Sequence, residues 1–304
     1  MSAKKRNLLS AIRLKFLPAD SNTARFCVDN ETMNMRLGRF AAFAACVIVA
    51  SAVPVAAATS YQAAGSTAMG PLVKAAASSF ESSHPGVHIA VRGGGSRVGV
   101  ADAAADVVNF GLSDVPPTNF PSLVDYRICV VPFIIVANAS VGVTTLTKMQ
   151  IHDLFSGRIT NWRDVGGADQ QVVLINRPRA SGTRAVFAKL FMGSDQISSA
   201  GSVQDSSKAT VALTHDTPGA VAYLTFAAGL QKGLGEMKID GAEPTVANVE
   251  AGSYPFWGYE HVVTRGRPSK EMLGFIDSIT KDRSLLESLG YIDISNMRVN
   301  AADR

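Results

Sequence analysis

The chain has 304 residues, 47% of them hydrophobic and 18% charged, which excludes collagen-like, disordered and multi-span membrane classes. Its formal charge of +4 is concentrated at the start. Eight of the 29 Lys and Arg and three of the 25 Asp and Glu precede residue 59, which leaves 21 bases against 22 acids and no basic footprint for nucleic acid.

Residues 1–58 are expected to be an N-terminal extension and a secretory signal. Arg36 and Arg39 form a charged start, residues 40–53 an apolar stretch, and Ala56-Ala57-Ala58 a small-residue cleavage pattern. The apolar run is only just long enough to span a bilayer, and Pro54 followed by small residues favours cleavage near Ala58 over anchoring. Too little apolar sequence precedes Cys46, and Phe43 fits a lipobox poorly, so lipid attachment there is disfavoured. Residues 1–34 are polar and aperiodic, and translation is expected to start at Met33 or Met35. Beyond residue 58 Cys129 stands alone in an apolar run, which excludes an internal disulfide and a thiolate metal cluster and suits a small buried hydrophobe.

From Thr59 onward, apolar strands alternate with amphipathic helices. The pattern predicts a helix over 71–80, with Pro71 in its first turn, and a strand over 87–91. Further strands are predicted over 107–110, 128–137 and 172–176, and a helix over 147–155. A helix over 183–191 would carry Arg184 and Lys189 outward. Residues 219–228 read as a buried segment, 262–264 as a strand end, and 270–280 as a helix with Met272, Leu273 and Ile276 inward. Such alternation implies an α/β fold with largely parallel sheets.

Three small polar turns each open a helix. They are Ala64-Gly65-Ser66-Thr67-Ala68-Met69-Gly70-Pro71, Arg92-Gly93-Gly94-Gly95-Ser96-Arg97, and Arg177-Pro178-Arg179-Ala180-Ser181-Gly182-Thr183-Arg184. A helix start offers free N–H groups and partial positive charge, which suits an anion. One such turn alone is more often a plain cap. The set, with Arg177 as a guanidinium for paired contacts to oxygens, suggests a single convergent oxyanion site. Asp114, in Phe110-Gly111-Leu112-Ser113-Asp114, follows a strand end where α/β sheets place ligands. It would repel a fully ionised anion but accept a hydrogen bond from one that keeps a proton, as phosphate does and sulfate does not.

These turns resemble the periplasmic phosphate-binding proteins of ABC-type uptake systems, which have the type 2 periplasmic-binding-protein fold. Gly65-Ser66-Thr67 with Pro71-Leu72, Gly95-Ser96, the Asp114 segment, and Arg177 with Ser181-Gly182-Thr183 look like that family's ligand loops. Leu154-Phe155-Ser156-Gly157-Arg158-Ile159-Thr160-Asn161-Trp162 and Pro218-Gly219-Ala220-Val221-Ala222-Tyr223 are similar to its recurrent segments, in order along residues 61–290. The resemblance implies two α/β lobes, 59–135 plus 257–304 and 136–256, each a mixed, mostly parallel sheet flanked by helices, joined by two hinge crossings. Phosphate would be bound by Ser66, Thr67, the Ala68 backbone N–H, Ser96, Asp114, Arg177, Ser181, Gly182 and Thr183. Arg97 stands where that family often has a small residue and Arg179 where it usually has an acid, so both are additional candidates that would suit a larger anion. A monomeric periplasmic receptor without cofactor, delivering to a membrane ABC permease, is the expected role.

Enzyme readings are weaker. Pro85 and Gly86 break any helix between His84 and His88, which argues against a metal pair. Ser181 lacks a nucleophile-elbow motif, and the glycines at 93–99 lack dinucleotide spacing. A phosphatase or other hydrolase working through Ser181 or Asp114 has no evident base.

Overall fold

The computed structural model describes residues 58–229 and 234–301. Residues 1–57, which hold the expected extension, most of the signal segment and Cys46, lie outside them. In chain order the elements are β1 (Thr59–Gly65), α1 (Gly70–Ser83), β2 (Val87–Arg92), α2 (Ser96–Ala104), β3 (Phe110–Ser113), β4 (Leu123–Asn138), β5 (Thr145–Leu146) and α3 (Lys148–Ser156). There follow β6 (Val173–Asn176), α4 (Gly182–Phe187), β7 (Ser202–Val203), α5 (Ser207–Asp216), β8 (Ala220–Thr225), α6 (Phe226–Gly229), β9 (Leu234–Glu236) and β10 (Lys238–Ile239). The last are α7 (Val246–Glu250), β11 (Trp257–Arg265), α8 (Lys270–Lys281) and α9 (Arg283–Ser288). No helix of the described residues is long and apolar enough to cross a membrane.

The main sheet runs β2-β1-β3-β11-β4-β8-β6-β7, with β9 also beside β4, while β5 and β10 form a small separate pair. The outer strands are parallel: β1 with β2 and β3, and β6 with β7 and β8. The centre departs from the parallel expectation, because β11 pairs antiparallel with β3 and β4, and β4 antiparallel with β8. The reason is topological. β4 carries the chain from one end of the sheet to the other and β11 carries it back, so the two run in opposite directions. Along β4 the partner changes: Leu123 to Pro132 lie beside β11, and Phe133 to Ala137 beside β8.

Local sequence explains most boundaries. Thr147 caps α3 by accepting from the Gln150 N–H at 3.1 Å, while Gln150 Oε1 accepts from Thr147 N at 2.8 Å, a full capping box. Ser206, Thr245 and Ser269 cap α5, α7 and α8 in the same way. Several expectations shift. The strand expected at 107–110 begins only at Phe110, because Asp106 adopts φ 61° after α2 and leaves Val107 exposed. The helix expected over 183–191 changes at Ala188 into a wider π turn, which keeps Phe187, Phe191 and Met192 all buried. In α8, Ile276 is buried with Phe275 and Ile279, while Met272 and Leu273 are half-buried. Trp162 and Trp257 are core residues, and Cys129 is a buried free thiol, as its apolar run suggests.

Aromatic rings anchor the helices to the sheet. Phe275 of α8 lies 5.3 Å from Phe110 of β3 and 5.5 Å from Phe80 of α1. Phe187 of α4 stacks on Tyr223 of β8 at 4.3 Å. Helix α2 lies so near β1 and β3 that a Cβ on Gly99 would fall 2.4 Å from the Ala64 carbonyl oxygen and 2.8 Å from that of Leu112. Gly99→Ala therefore forces α2 off the sheet. It should destabilise the protein by about 1–3 kcal/mol and lower Tm by roughly 3–8 °C. A thermal melt in which Tm does not move would show that α2 can slide without strain.

Candidate functional site

The site is made by segments that leave the C-terminal ends of parallel strands. The segment after β1 supplies Ser66, Thr67 and Ala68; that after β2 supplies Ser96; that after β3, Asp114; and that after β6, Arg177 and Ser181 to Thr183. Strand ends of this kind gather neighbouring loops at one edge of a sheet.

Asp114 is only 1% exposed. Its Oδ1 accepts from Ser96 Oγ at 3.3 Å and its Oδ2 from Thr183 Oγ1 at 2.8 Å, while its own N–H donates to Ser96 Oγ at 3.0 Å. Its carboxylate thus joins α2 to α4, elements flanking opposite ends of the main sheet. Arg177 is 2% exposed. Its Nε donates to the Gln204 carbonyl at 3.0 Å, and Nη2 to the Asp205 carbonyl at 3.3 Å and to Thr67 Oγ1 at 3.0 Å. Burial pulls this guanidinium below its ordinary range, and the Asp114 charge is the largest opposing influence. Asp114 and Arg177 therefore lie near enough to act on each other through charge, each bonded to a hydroxyl from a segment distant in sequence.

The remaining candidates take distinct places. Ser66 Oγ accepts from the N–H groups of Ala68 and Met69 at 3.0 and 3.2 Å. The Ala68 N–H, expected to face an anion, is therefore engaged by Ser66, because a serine two residues earlier closes the turn locally. Ser181 Oγ accepts from the Arg184 N–H at 3.2 Å and caps α4. Gly182 sits at the crossing itself: a Cβ there would lie 2.1 Å from Ser96 Oγ and 2.8 Å from Asp114 Cβ. The side chains of Arg97 and Arg179 are exposed. Only the backbone of Arg97 joins the crossing, its N–H donating to the Ala180 carbonyl at 3.1 Å. Arg184, expected to point outward, turns in, its Nη1 donating to Asn176 Oδ1 and to the Arg177 carbonyl at 2.9 Å. A buried acceptor at the end of β6 holds it there.

Two groups were missed by reading the sequence. Ser207 Oγ lies 3.5 Å from both Thr67 Oγ1 and Arg177 Nη1. Its signal was Asp205-Ser206-Ser207, another small polar turn opening a helix. Asn176 receives the hydroxyl of Tyr223, the Arg177 N–H at 2.9 Å and Arg184, and so fixes the backbone from which Arg177 projects. Burial pushes the Tyr223 hydroxyl up to about 12, which keeps it a donor to Asn176. The histidines stay apart from this site. His84 stacks on Phe80, and His88 pairs with Glu81 at 3.2 Å.

Two substitutions test the geometry. Arg177→Ala removes the only guanidinium bonded to Thr67 among the described residues and should cost at least about 2 kcal/mol of oxyanion binding. A loss under about tenfold in calorimetry would place Arg177 outside the binding surface. Gly182→Ala should leave secondary structure intact but hold the two sides of the crossing apart, weakening oxyanion capture by about tenfold or more. Unchanged affinity would show that Ser96 and Asp114 can yield to the methyl group.

Comparison with known proteins identifies the family. Residues 52–283 match the PBP superfamily domain. The phosphate-binding protein PstS of Bacillus subtilis (strain 168) is 36% identical over 243 residues, covering 77% of this chain and 81% of that protein. Among solved structures, a phosphate ABC transporter substrate-binding protein with bound phosphate from Clostridium perfringens superposes with a TM-score of 0.74 at 25% identity, covering 78% of this chain and all of that one. An ABC-type phosphate transport receptor from Vibrio cholerae has the same fold, with a TM-score of 0.64 at 24% identity over 76% of this chain and 99% of that one. The chain belongs to the PBP superfamily and, within it, to the family of the PstS phosphate-binding proteins.

Proposed function

We propose that this chain is a periplasmic receptor that captures inorganic phosphate between two lobes, as a monomer, and delivers it to a membrane ABC permease. The lobes are residues 59–135 plus 257–304 and 136–256, and the exported form begins near residue 59. The observation that carries the reading is the pairing of one buried cation with one buried acid at a single crossing, Arg177 on Thr67 and Asp114 on Thr183. A tetrahedral anion bearing one proton fits both: Arg177 neutralises its charge, and Asp114 accepts from its P–OH. The change of partner along β4 at Pro132 and Phe133 supports the division into lobes. A ligand bonded from both sides favours the closed arrangement, since only that arrangement makes both sets of contacts.

The proposed ligand set is Ser66, Thr67, Ser96, Asp114, Arg177, Ser181, Gly182 and Thr183, to which Ser207 is added, while Ala68, whose N–H is engaged by Ser66, is left out. Exposed Arg97 and Arg179 contribute steering of anions toward the cleft rather than contact. A second reading, a phosphorylated organic compound, is favoured by one observation. A mainly apolar cavity of about 550 Å³ adjoins Ser96 and Asp114, with Arg97, Pro116, Phe120 and Leu190 on its walls.

Calorimetric titration of the purified protein with phosphate, arsenate, sulfate and a phosphate monoester tests both readings. Phosphate binding with sulfate excluded supports the first; tighter binding of the monoester supports the second. Asp114→Asn should erode discrimination against sulfate more than affinity for phosphate, because an amide offers a donor as readily as an acceptor. Unchanged discrimination in the competition titration would remove Asp114 from the role of proton reader.

A further inference from the structure

A second carboxyl group lies behind the anion loops. Glu260, on β11 opposite Cys129 of β4, is 0% exposed; neither of its oxygens meets a hydrogen-bond donor among the described residues, and its side chain comes within hydrogen-bonding reach of the Asp114 carboxylate. Ser113 pairs with His261 in the β11–β3 ladder, so Asp114, the next residue, lies across from Glu260, and the ionisable groups seen to act with Glu260 among the described residues are acids. They are Asp114 from the segment after β3, Cys129 from β4, and Tyr291 from the segment after α9, whose hydroxyl donates to the Ala68 carbonyl at 2.5 Å. The next residue on β11, His261, is committed to Asp125 of β4, Nδ1 to Oδ1 at 2.8 Å. Burial and then the Asp114 charge push Glu260 well above the usual carboxylate range, and burial does the same to Cys129 and Tyr291.

The two carboxyl groups differ in one decisive respect. Asp114 has a hydroxyl donor on each oxygen, and the Arg177 guanidinium acts on it through charge. Glu260 has no donor. When neighbouring acids cannot both ionise, the charge rests where donors and cations surround it, and the proton rests on the other.

We propose that Glu260 is a positioning and specificity-determining residue that carries the proton of a Glu260–Asp114 carboxyl pair, so that Asp114 stays a pure acceptor facing the bound anion. The inference rests on the phosphate reading above and deepens it. An anion brought beside Asp114 favours a proton on that residue. A protonated Asp114 would donate, and a donor greets sulfate as well as phosphate. With the proton held on Glu260, the pair presents one negative charge under the anion and keeps the acceptor that sulfate cannot satisfy.

The test compares wild type, Glu260→Gln and Glu260→Leu by phosphate and sulfate titration, with infrared difference spectra taken with and without phosphate. Wild type should show a protonated-carboxyl C=O band that shifts on phosphate binding and is missing in Glu260→Gln. Leu, which removes the donor, should reduce phosphate-over-sulfate discrimination by about tenfold or more, and Gln, neutral and still a donor, should restore it to within about threefold. A buried acid with only a structural role gives a different pattern, a Leu variant with equal or higher Tm and unaltered discrimination, and that pattern would overturn the proposal. So would the absence of the band in wild type, or a Gln variant as impaired as Leu. Should the Leu variant fail to fold, the band and the Gln titration decide between these outcomes. A wild-type protein that takes no phosphate overturns the functional reading itself, whereas phosphate binding without the band overturns this inference alone.

Discussion

A guanidinium taken almost wholly out of water needs acceptors for its donors, and much of this architecture exists to supply them for Arg177. Asn176 fixes its backbone, the carbonyls of Gln204 and Asp205 hold its flank, and Thr67 meets it from the far side of the cleft. Desolvation of that cation opposes folding unless negative charge or strong dipoles stand nearby. Asp114 provides charge from the other side of the crossing. A compact anion that bonds both groups satisfies the cation more fully than protein dipoles alone.

The same demand explains how α4 is set. Phe187 stacks on Tyr223, Tyr223 bonds Asn176, and Asn176 receives Arg184. Ring packing, a phenol and an amide thus form one chain of contacts from the hydrophobic core to the residue beneath Arg177. Such coupling keeps polar groups in the cleft at fixed distances without loading the loops themselves.

Much of this was legible in the sequence. Strand and helix alternation and the glycine-hydroxyl turns before α1, α2 and α4 follow from local chemistry, and local chemistry is what a sequence displays. Three things were not. The antiparallel centre depends on where two strands distant in sequence meet, and neither carries a local mark of its partner. The engagement of Ala68 by Ser66 and the inward turn of Arg184 depend on acceptors that become neighbours only after folding. Glu260 lies on β11 with nothing around it in the sequence to announce its burial. Ser207 was within reach, since its turn has the character of those that were read, but it lacks their glycines.

The change of partner along β4 has a mechanical consequence. No loop separates its two stretches: the backbone passes from one ladder to the next between Pro132 and Phe133 without leaving the sheet, and Phe256, just before β11, accepts a bond from Phe133 at 2.9 Å. Any relative rotation of the ends must be absorbed as curvature in hydrogen-bonded ribbon, the way a leaf spring flexes, rather than as free swivel about a pin. Pro132 brings no N–H to this stretch, so bending there strains one fewer bond. Travel would be short, elastic and quickly reversed.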